Sequence, residues 1–99
     1  KLPTVITDPP KNIGYSIADL SADLSDNGGV VVTERGFCYG LNPNPTIAYN
    51  KLTVSGNGIG AFSITINNLK DNSKYYVRAY ATNSLGTVYG AVQTFTTSP

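Results

Sequence analysis

Three segments of the chain alternate apolar and polar residues with the period of a β-strand. In Tyr15–Leu24 every second residue from Ala18 onward is apolar. Ala61–Ile66 follows the same rule, and Tyr75–Thr82 is the strongest example because it is both long and rich in aromatic and β-branched residues. Side chains on a strand point alternately to the two faces of a sheet, so each segment predicts a strand with one buried face.

Four further segments carry weaker strand signals, and they are Thr4–Asp8, Val30–Tyr39, Lys51–Val54 and Val88–Thr96. Turn-forming Gly, Asn, Asp and Pro residues separate all seven segments at short intervals. Asn83–Gly86 is expected to be the turn of a hairpin. The uninterrupted i, i+3, i+4, i+7 spacing of an amphipathic helix is not found. Seven short strands in 99 residues predict an all-β fold, a seven-stranded antiparallel β-sandwich.

The inward positions of these strands predict the hydrophobic core. Val31 is expected to point inward too, although a bulge in its strand would shift that register by one residue. The predicted core residues are Ile17 or Ala18, Leu20, Leu24, Phe37, Tyr39, Phe62, Ile64, Ile66, Leu69, Tyr75, Val77, Ala79 and Phe95.

The composition excludes several kinds of chemistry. Lys plus Arg number 7 and Asp plus Glu number 6, and a net charge of +1 argues against a nucleic-acid-binding surface. With no His and a single Cys, zinc sites, haem sites, His-based triads and an intramolecular disulfide are excluded. Cys38 lies in an apolar run and is expected to be a small strand residue, because no basic neighbour would activate its thiol. We predict no cofactor and no metal.

The ends of the chain and its longest apolar run bear on its context. Val30–Val32 is far shorter than the ~20 residues that a membrane-spanning helix needs, so we expect no membrane insertion. The chain begins at Lys1 without Met, and Lys1–Thr4 and Thr96–Pro99 have the composition of linkers. Residues 1–99 are therefore expected to form one domain that is a module of a longer protein.

The acidic residues do not form a recognisable catalytic or metal-binding set. Asp19 and Asp23 share the outward face of one strand, but strand geometry separates them by roughly 13 Å, so they are not a tight pair. Asp23, Asp26 and Asn27 could offer oxygens to Ca²⁺, but their spacing matches no calcium loop and suits an Asx-rich turn. We expect these residues to be solvated.

The glycines at positions 56, 58 and 60 resemble the spacing of a phosphate-binding loop, but a simpler structural explanation is available. A phosphate-binding loop needs a strand before it and a helix after it, and here a strand follows. A hairpin loop is expected instead. Because the chain has no His to act as a base, no Ser or Thr stands out as a nucleophile. We predict that the protein is not an enzyme.

The outward residues of the strongest strand are the best candidates for a binding surface. Tyr76, Arg78 and Tyr80 stand side by side on one face, and Gly36 and Cys38 would flank them if they face outward on a neighbouring strand. Such a shallow aromatic platform could contact a protein partner or stack on a sugar. An ordinary sheet face with cross-strand Tyr–Tyr and Tyr–Arg packing explains the same pattern.

The segment Leu69–Gly86 carries a more specific resemblance. Leu69 precedes Tyr75 by six residues, and the strand that follows alternates into an Asn-Ser-x-Gly turn. This resembles the tyrosine corner and sixth strand of fibronectin type III domains, in which the Tyr ring fills the end of an immunoglobulin-like sandwich and its hydroxyl bonds a nearby backbone group. Asp71 and Ser73 stand where the family usually has Pro and Thr.

The resemblance extends over nearly the whole chain and implies a role. Arg35–Tyr39, Asn42–Thr46 and Gly58–Phe62 are similar to modules of Bacteroidetes-type secreted and surface proteins, which often accompany polysaccharide-handling domains. It implies a non-catalytic spacer or scaffold module that is extracellular, at the cell surface or periplasmic, and whose partners are neighbouring domains of the same chain. The alternative is a binding module for a protein or a polysaccharide, through the tyrosine face or the loops at Asp26 and Asn57. The Arg-Gly-Asp tripeptide of one animal module is absent, so integrin-type adhesion is not implied.

Overall fold

The structure, a computed structural model, describes residues 1–47, 50–56 and 58–99. Within these residues the chain forms eight strands and no helix, which confirms the all-β prediction. The segment Val88–Thr96, predicted as one strand, is divided into two, so there is one strand more than the seven predicted. The strands are β1 (Thr4–Thr7), β2 (Ala18–Asp26), β3 (Glu34–Gly40), β4 (Lys51–Thr53), β5 (Gly60–Ile66), β6 (Lys74–Asn83), β7 (Gly86–Tyr89) and β8 (Gln93–Thr96).

The strands form two sheets, and every strand pairing within them is antiparallel. The smaller sheet has the order β1-β2-β5. The larger sheet has the order β4-β3-β6-β7, and β8 pairs with the first half of β6. The inner faces of the two sheets enclose the core, so the predicted β-sandwich is confirmed.

Most of the core comes from the inward positions that the alternation predicted. Tyr39 and Ile64, both predicted core residues, are partly buried and pack against it. Of the predicted pair Ile17 or Ala18, the fully buried residue is Ala18. The buried core residues are Val5, Ala18, Leu20, Ala22, Leu24, Val32, Phe37, Phe62, Ile66, Leu69, Tyr75, Val77, Ala79, Ala81 and Phe95.

The strand predicted over Tyr15–Leu24 begins later than expected, at Ala18. The Gly14 amide donates to the Ile17 carbonyl at 2.8 Å, so the residues before Ala18 turn away from β2 and leave Tyr15 exposed. This local hydrogen bond competes with the ladder, which the apolar pattern of Tyr15–Leu24 did not indicate.

The start of β3 was predicted with the wrong register. Gly28 and Gly29 both adopt positive φ, and the chain joins the β3 ladder only at Glu34. Val31, expected to point inward, is exposed, and Val32 is fully buried instead. A shift of one residue exchanges the two faces of an extended segment, which is the physical reason for the error.

The last predicted strand is divided because β1 approaches it closely at Gly90. A Cβ atom at this position would lie 2.4 Å from Thr7 Oγ1 and 2.8 Å from the Thr7 amide nitrogen, so only glycine fits. The Gly90 amide still donates to the Ala79 carbonyl at 2.9 Å. The Ala79 amide donates to Thr7 Oγ1 at 2.9 Å, so a side chain of β1 replaces the missing backbone acceptor.

The corner before β6 forms as the resemblance implied. The Lys70 amide donates to the hydroxyl oxygen of Tyr75 at 2.9 Å. The Tyr75 ring stacks on Phe95 with ring centroids 5.5 Å apart, and both residues are buried together with Leu69. The predicted tyrosine corner is therefore confirmed, including the bond from its hydroxyl to the backbone.

The first and last residues lie at opposite ends of an elongated sandwich. Lys1 accepts a hydrogen bond from Asn83, in the hairpin turn at the end of β6. Thr97 contacts Ser73, just before the start of β6. The principal extents are 44 × 21 × 18 Å, so these two positions are separated along the long axis.

Candidate functional site

The sequence-predicted site lies on the outer face of the larger sheet. The register pairs Tyr76 with Gly40, Arg78 with Cys38 and Tyr80 with Gly36. The three β6 side chains therefore share one face with the small residues of β3, as expected. The core residues Val77 and Ala79 occupy the opposite face.

Tyr80 is not an exposed platform residue, which corrects the prediction. It has no exposed surface, and it lies outside the core cluster because it is on the outer face of the sheet. Its hydroxyl donates to Glu34 Oε2 at 2.7 Å and is 3.5 Å from Thr53 Oγ1. Burial, more than the nearby carboxylate, raises the pKa of Tyr80. The residue is a buried polar anchor for β4.

A short ion pair completes this anchor. Lys51 Nζ lies 2.9 Å from Glu34 Oε2, and these side chains are only about one third exposed. The hydrogen bonds from Lys51 and then from Tyr80 lower the pKa of Glu34. Cys38, fully buried on the same face, has a pKa raised to about 11 by burial, so its thiol is protonated at neutral pH. This agrees with the prediction of a structural cysteine.

The loop after β3 crosses the middle of this face. Arg78 Nε donates to the Pro45 carbonyl at 2.7 Å, and the Arg78 guanidinium lies 4.0 Å from the centroid of the Tyr89 ring. The Ile47 amide donates to the Tyr89 hydroxyl at 3.3 Å. Tyr76 and Arg78 are both partly exposed, and Lys74 Nζ lies 5.4 Å from the centroid of the Tyr76 ring. The structure therefore brings the three residues together on one face, but it buries Tyr80 and engages Arg78 with Pro45 and Tyr89.

A small cleft lies beside this loop, at the end of β3. It has a volume of about 130 Å³, which is well below the range of ordinary ligand sites. Its lining is Tyr39, Gly40, Leu41, Asn42, Asn44, Pro45 and Asn50.

A larger groove lies on the outer face of the smaller sheet, on the other side of the molecule. Its volume is about 520 Å³, within the range of small-molecule sites. The floor comes from β2 and β5, where Asp19 pairs with Thr65 and Ser21 with Ser63. The groove is lined by Lys11, Asn12, Asp19, Leu20, Ser21, Ser63, Ile64 and Thr65.

One wall of the groove is an excursion of the chain between β1 and β2. Lys11 and Asp19 exchange two backbone hydrogen bonds of 2.9 and 2.8 Å, an isolated bridge that fixes this segment against the sheet. Asn12 has a φ of +51°, a conformation that asparagine tolerates better than most residues. Its side-chain amide donates to Asp19 Oδ2 at 2.7 Å.

The Asp19 carboxylate is held in a fixed orientation. Thr65 Oγ1 donates to Asp19 Oδ1 at 2.6 Å, while Asn12 holds the other oxygen. The bond from Thr65 and then that from Asn12 lower the pKa of Asp19. The alternation of β2 predicted that Asp19 faces solvent, but not that a groove forms around it, because the wall and β5 lie far away in the sequence.

The remaining sequence candidates have structural roles. Asp26 Oδ1 accepts from the Gly28 amide and Asn27 Oδ1 from the Gly29 amide, both at 2.8 Å, so the expected Asx turn is confirmed. Arg35 donates to backbone carbonyls of the loop between β4 and β5, at 2.8 and 3.1 Å. Asn57, named in the predicted binding loop, lies outside the described residues. No cluster of possible metal ligands occurs in residues 1–47, 50–56 and 58–99.

Among the same described ranges, no helix is long and apolar enough to cross a membrane.

Comparisons with known proteins identify the fold. No family model and no curated protein matches the sequence. The sensor domain of the anti-sigma factor RsgI4 from Pseudobacteroides cellulosolvens superposes with a TM-score of 0.73 at 17% identity, covering 99% of this chain and 96% of that chain. The FN1–FN3 domains of chicken CNTN1 also give 0.73, at 21% identity, covering 100% of this chain and 31% of that chain.

A third solved structure supports the same architecture. The sixth fibronectin type III domain of human fibronectin type III domain containing protein 3 gives a TM-score of 0.61 at 21% identity, covering 100% of this chain and 89% of that chain. At such low identity these likenesses show the fold alone. The chain has a fibronectin type III-like β-sandwich fold.

Proposed function

We propose that residues 1–99 are a non-catalytic spacer or scaffold module of a multi-domain secreted or cell-surface protein. The observation that carries this proposal is the placement of the two terminal segments at opposite ends of a sandwich 44 Å long. A neighbouring domain joined at either end would be held apart from the other by the length of the module. Its partners would be the neighbouring domains of the same chain.

Both terminal segments are tied to the sandwich, which would make such a spacer stiff. At one end, Asn83 Nδ2 donates to the Lys1 carbonyl at 2.9 Å. At the other end, Thr97 Oγ1 donates to the Lys70 carbonyl at 2.6 Å and the Ser98 amide donates to the Gly14 carbonyl at 3.0 Å. Segments held by such bonds transmit the orientation of the module to whatever follows them, whereas a free Gly/Ser-type linker does not.

The likenesses support the extracellular or cell-surface setting that we propose. One similar structure is described as a sensor domain from a bacterium, and another is a chain that carries FN1–FN3 domains. The resemblance to Bacteroidetes-type surface modules points the same way.

The experiment is small-angle X-ray scattering on a direct tandem of two copies of the chain, compared with a tandem joined by a flexible Gly/Ser linker. We expect the direct tandem to have a maximum dimension of about twice the 44 Å axis and the flexible tandem to be more compact on average. Side-by-side packing of the two copies in the direct tandem would contradict the spacer proposal.

A second candidate function is binding of a protein or glycan through Tyr76, Arg78 and Tyr80. The observation in its favour is that Tyr76 stays accessible on a face where Lys74 adds a positive charge. Saturable binding that is lost in the Tyr76→Ala, Tyr80→Ala double variant would support it. Since Tyr80→Ala also removes a buried anchor, Tyr76→Ala alone must give most of the loss.

A further inference from the structure

We infer that the groove on the outer face of the smaller sheet binds a neutral, polyhydroxylated ligand, namely a segment of a polysaccharide. This goes beyond the spacer role and uses the opposite sheet from Tyr76, Arg78 and Tyr80. The inference rests on the size of the groove, the hydrogen-bonding character of its lining and the fixed orientation of its carboxylate.

The lining of the groove suits hydroxyl groups rather than ions or apolar groups. The polar side chains of the lining are one carboxylate, one ammonium group, one amide and three hydroxyls. The Asp8 carboxylate, which accepts from Ser21 at 3.2 Å, adds a second negative charge beside them. The two carboxylates beside one ammonium group disfavour an anion, and the lining provides both acceptors and donors for a neutral ligand. Sugar hydroxyls, which donate and accept, match the polar side chains of this lining.

The hydrogen bonds already present decide which atoms remain for a ligand. The Thr65 hydroxyl donates its hydrogen bond to Asp19 Oδ1, and the Ser21 hydroxyl donates its hydrogen bond to Asp8 Oδ2 at 3.2 Å. Both hydroxyl oxygens therefore keep lone pairs, and each Asp19 oxygen has accepted only one bond from the groove residues. The groove is rich in free acceptors, which favours a ligand that brings several O–H donors.

The groove is also preorganised. Asp19 is fixed from both sides by Thr65 and Asn12, and the Asn12 segment is fixed by the Lys11–Asp19 bridge. The floor residues lie on two paired strands rather than on loops. A site whose polar groups are already oriented pays less conformational entropy when it binds a ligand. This combination distinguishes the groove from the cleft of about 130 Å³ beside Asn42.

The test is an NMR titration of the isotope-labelled chain with three neutral soluble polysaccharides: a β-glucan, a galactomannan and an arabinoxylan. We expect at least one of them to cause saturable shifts of the amides of Asp19, Ser21, Ser63 and Thr65. Asp19→Asn should weaken the affinity about ten-fold, because a hydrogen bond to a charged acceptor is replaced by a neutral one.

The matched control is Asp23→Asn. Asp23 follows Asp19 on the same face of β2 and carries the same charge, but it does not line the groove. It should leave the affinity unchanged. Asn12→Gly is a second variant, because glycine accepts the positive φ of residue 12 while removing the amide. It should weaken binding without unfolding the domain, which a dispersed spectrum would verify.

Four outcomes would overturn the inference. They are the absence of shifts with all three polysaccharides, shifts confined to the Tyr76 face, equal losses in the Asp19 and Asp23 variants, and groove shifts produced by CaCl₂ alone, which would identify a cation site. The scattering experiment on the tandem is independent of all four, so the groove and the spacer proposal can fail separately.

Discussion

The hydroxyl of Thr7 accepts a hydrogen bond from a backbone amide of the larger sheet, and we predict that its removal destabilises the domain. β7 ends at Tyr89 and β8 begins at Gln93, so the Ala79 amide between them has no backbone acceptor on that side. Thr7 Oγ1, 72 residues away in sequence, accepts from this amide at 2.9 Å in a buried site. Thr7→Val preserves the shape of the side chain and removes the acceptor.

The expected loss follows from the burial of the donor. Thr7 is 4% exposed, and Ala79 is not exposed at all, so water cannot replace the lost acceptor. Leaving a buried amide unsatisfied costs about 1–3 kcal/mol of unfolding free energy. In a domain of this size each kcal/mol lowers the melting temperature by about 4–8 °C. The control Thr7→Ser keeps the oxygen and removes one methyl group, at a cost of about 1 kcal/mol or less.

The assay is urea denaturation followed by the fluorescence of the 7 tyrosines, since the chain has no Trp. The transition midpoint should fall for Thr7→Val with an unchanged denaturant slope, which marks a change of stability alone. Hydrogen exchange should accelerate at the Ala79 amide in Thr7→Val and much less in Thr7→Ser. If the two variants lose equal stability, or if Ala79 exchange is unaffected, then the hydroxyl is not the acceptor that closes the sheet and the reasoning is refuted.

Three further predictions address the corner, the outer face and the acidic groups. Tyr75→Phe should lower the unfolding free energy by roughly 0.5–1.5 kcal/mol in a urea melt, because the Lys70 amide loses its acceptor. An unchanged midpoint would show that this hydrogen bond does not stabilise the corner. In Gly36→Ala the added Cβ would clash with the backbone of β4 and displace this strand, which helps cover the Cys38 thiol. Cys38 should therefore react faster with a thiol reagent at pH 8. Equal rates in the variant and the parent chain would contradict this prediction. Since the pKa of Glu34 is lowered from its ordinary 4.5 in the folded state, its contribution to stability is present above that value and is lost as the pH falls through the folded pKa. Stability measured at pH 3 relative to pH 7 should therefore decline less in Glu34→Gln than in the parent chain, and an identical decline would contradict the role of this carboxylate.

The candidate sites show which parts of a binding surface a sequence can predict. The alternation of β6 correctly placed Tyr76, Arg78 and Tyr80 on one outward face. It could not show that Tyr80 is buried there, because the groups that contact its hydroxyl, Glu34 and Thr53, come from β3 and β4. Likewise, the outward position of Asp19 was predictable, but its partners Asn12 and Thr65 come from two other segments.

Local patterns by themselves determined the approximate positions of the strands, most of the core and the tyrosine corner. Alternation over a few residues fixes which side of a strand is buried, and the spacing of Leu69 and Tyr75 fixes the corner, since both depend on neighbours in sequence. The fold class followed from these local signals because short strands separated by turns can bury their apolar faces only by pairing and stacking.

The tertiary structure alone decided the features that depend on distant segments. The last strand is divided at Gly90 because β1 approaches there, and no local pattern of Val88–Thr96 records that approach. The groove exists because the Lys11 segment is bridged to β2 and β5 supplies its other half. In each case the deciding contact joins residues far apart in the chain, so its energy is set by the packing of the two sheets rather than by local propensity.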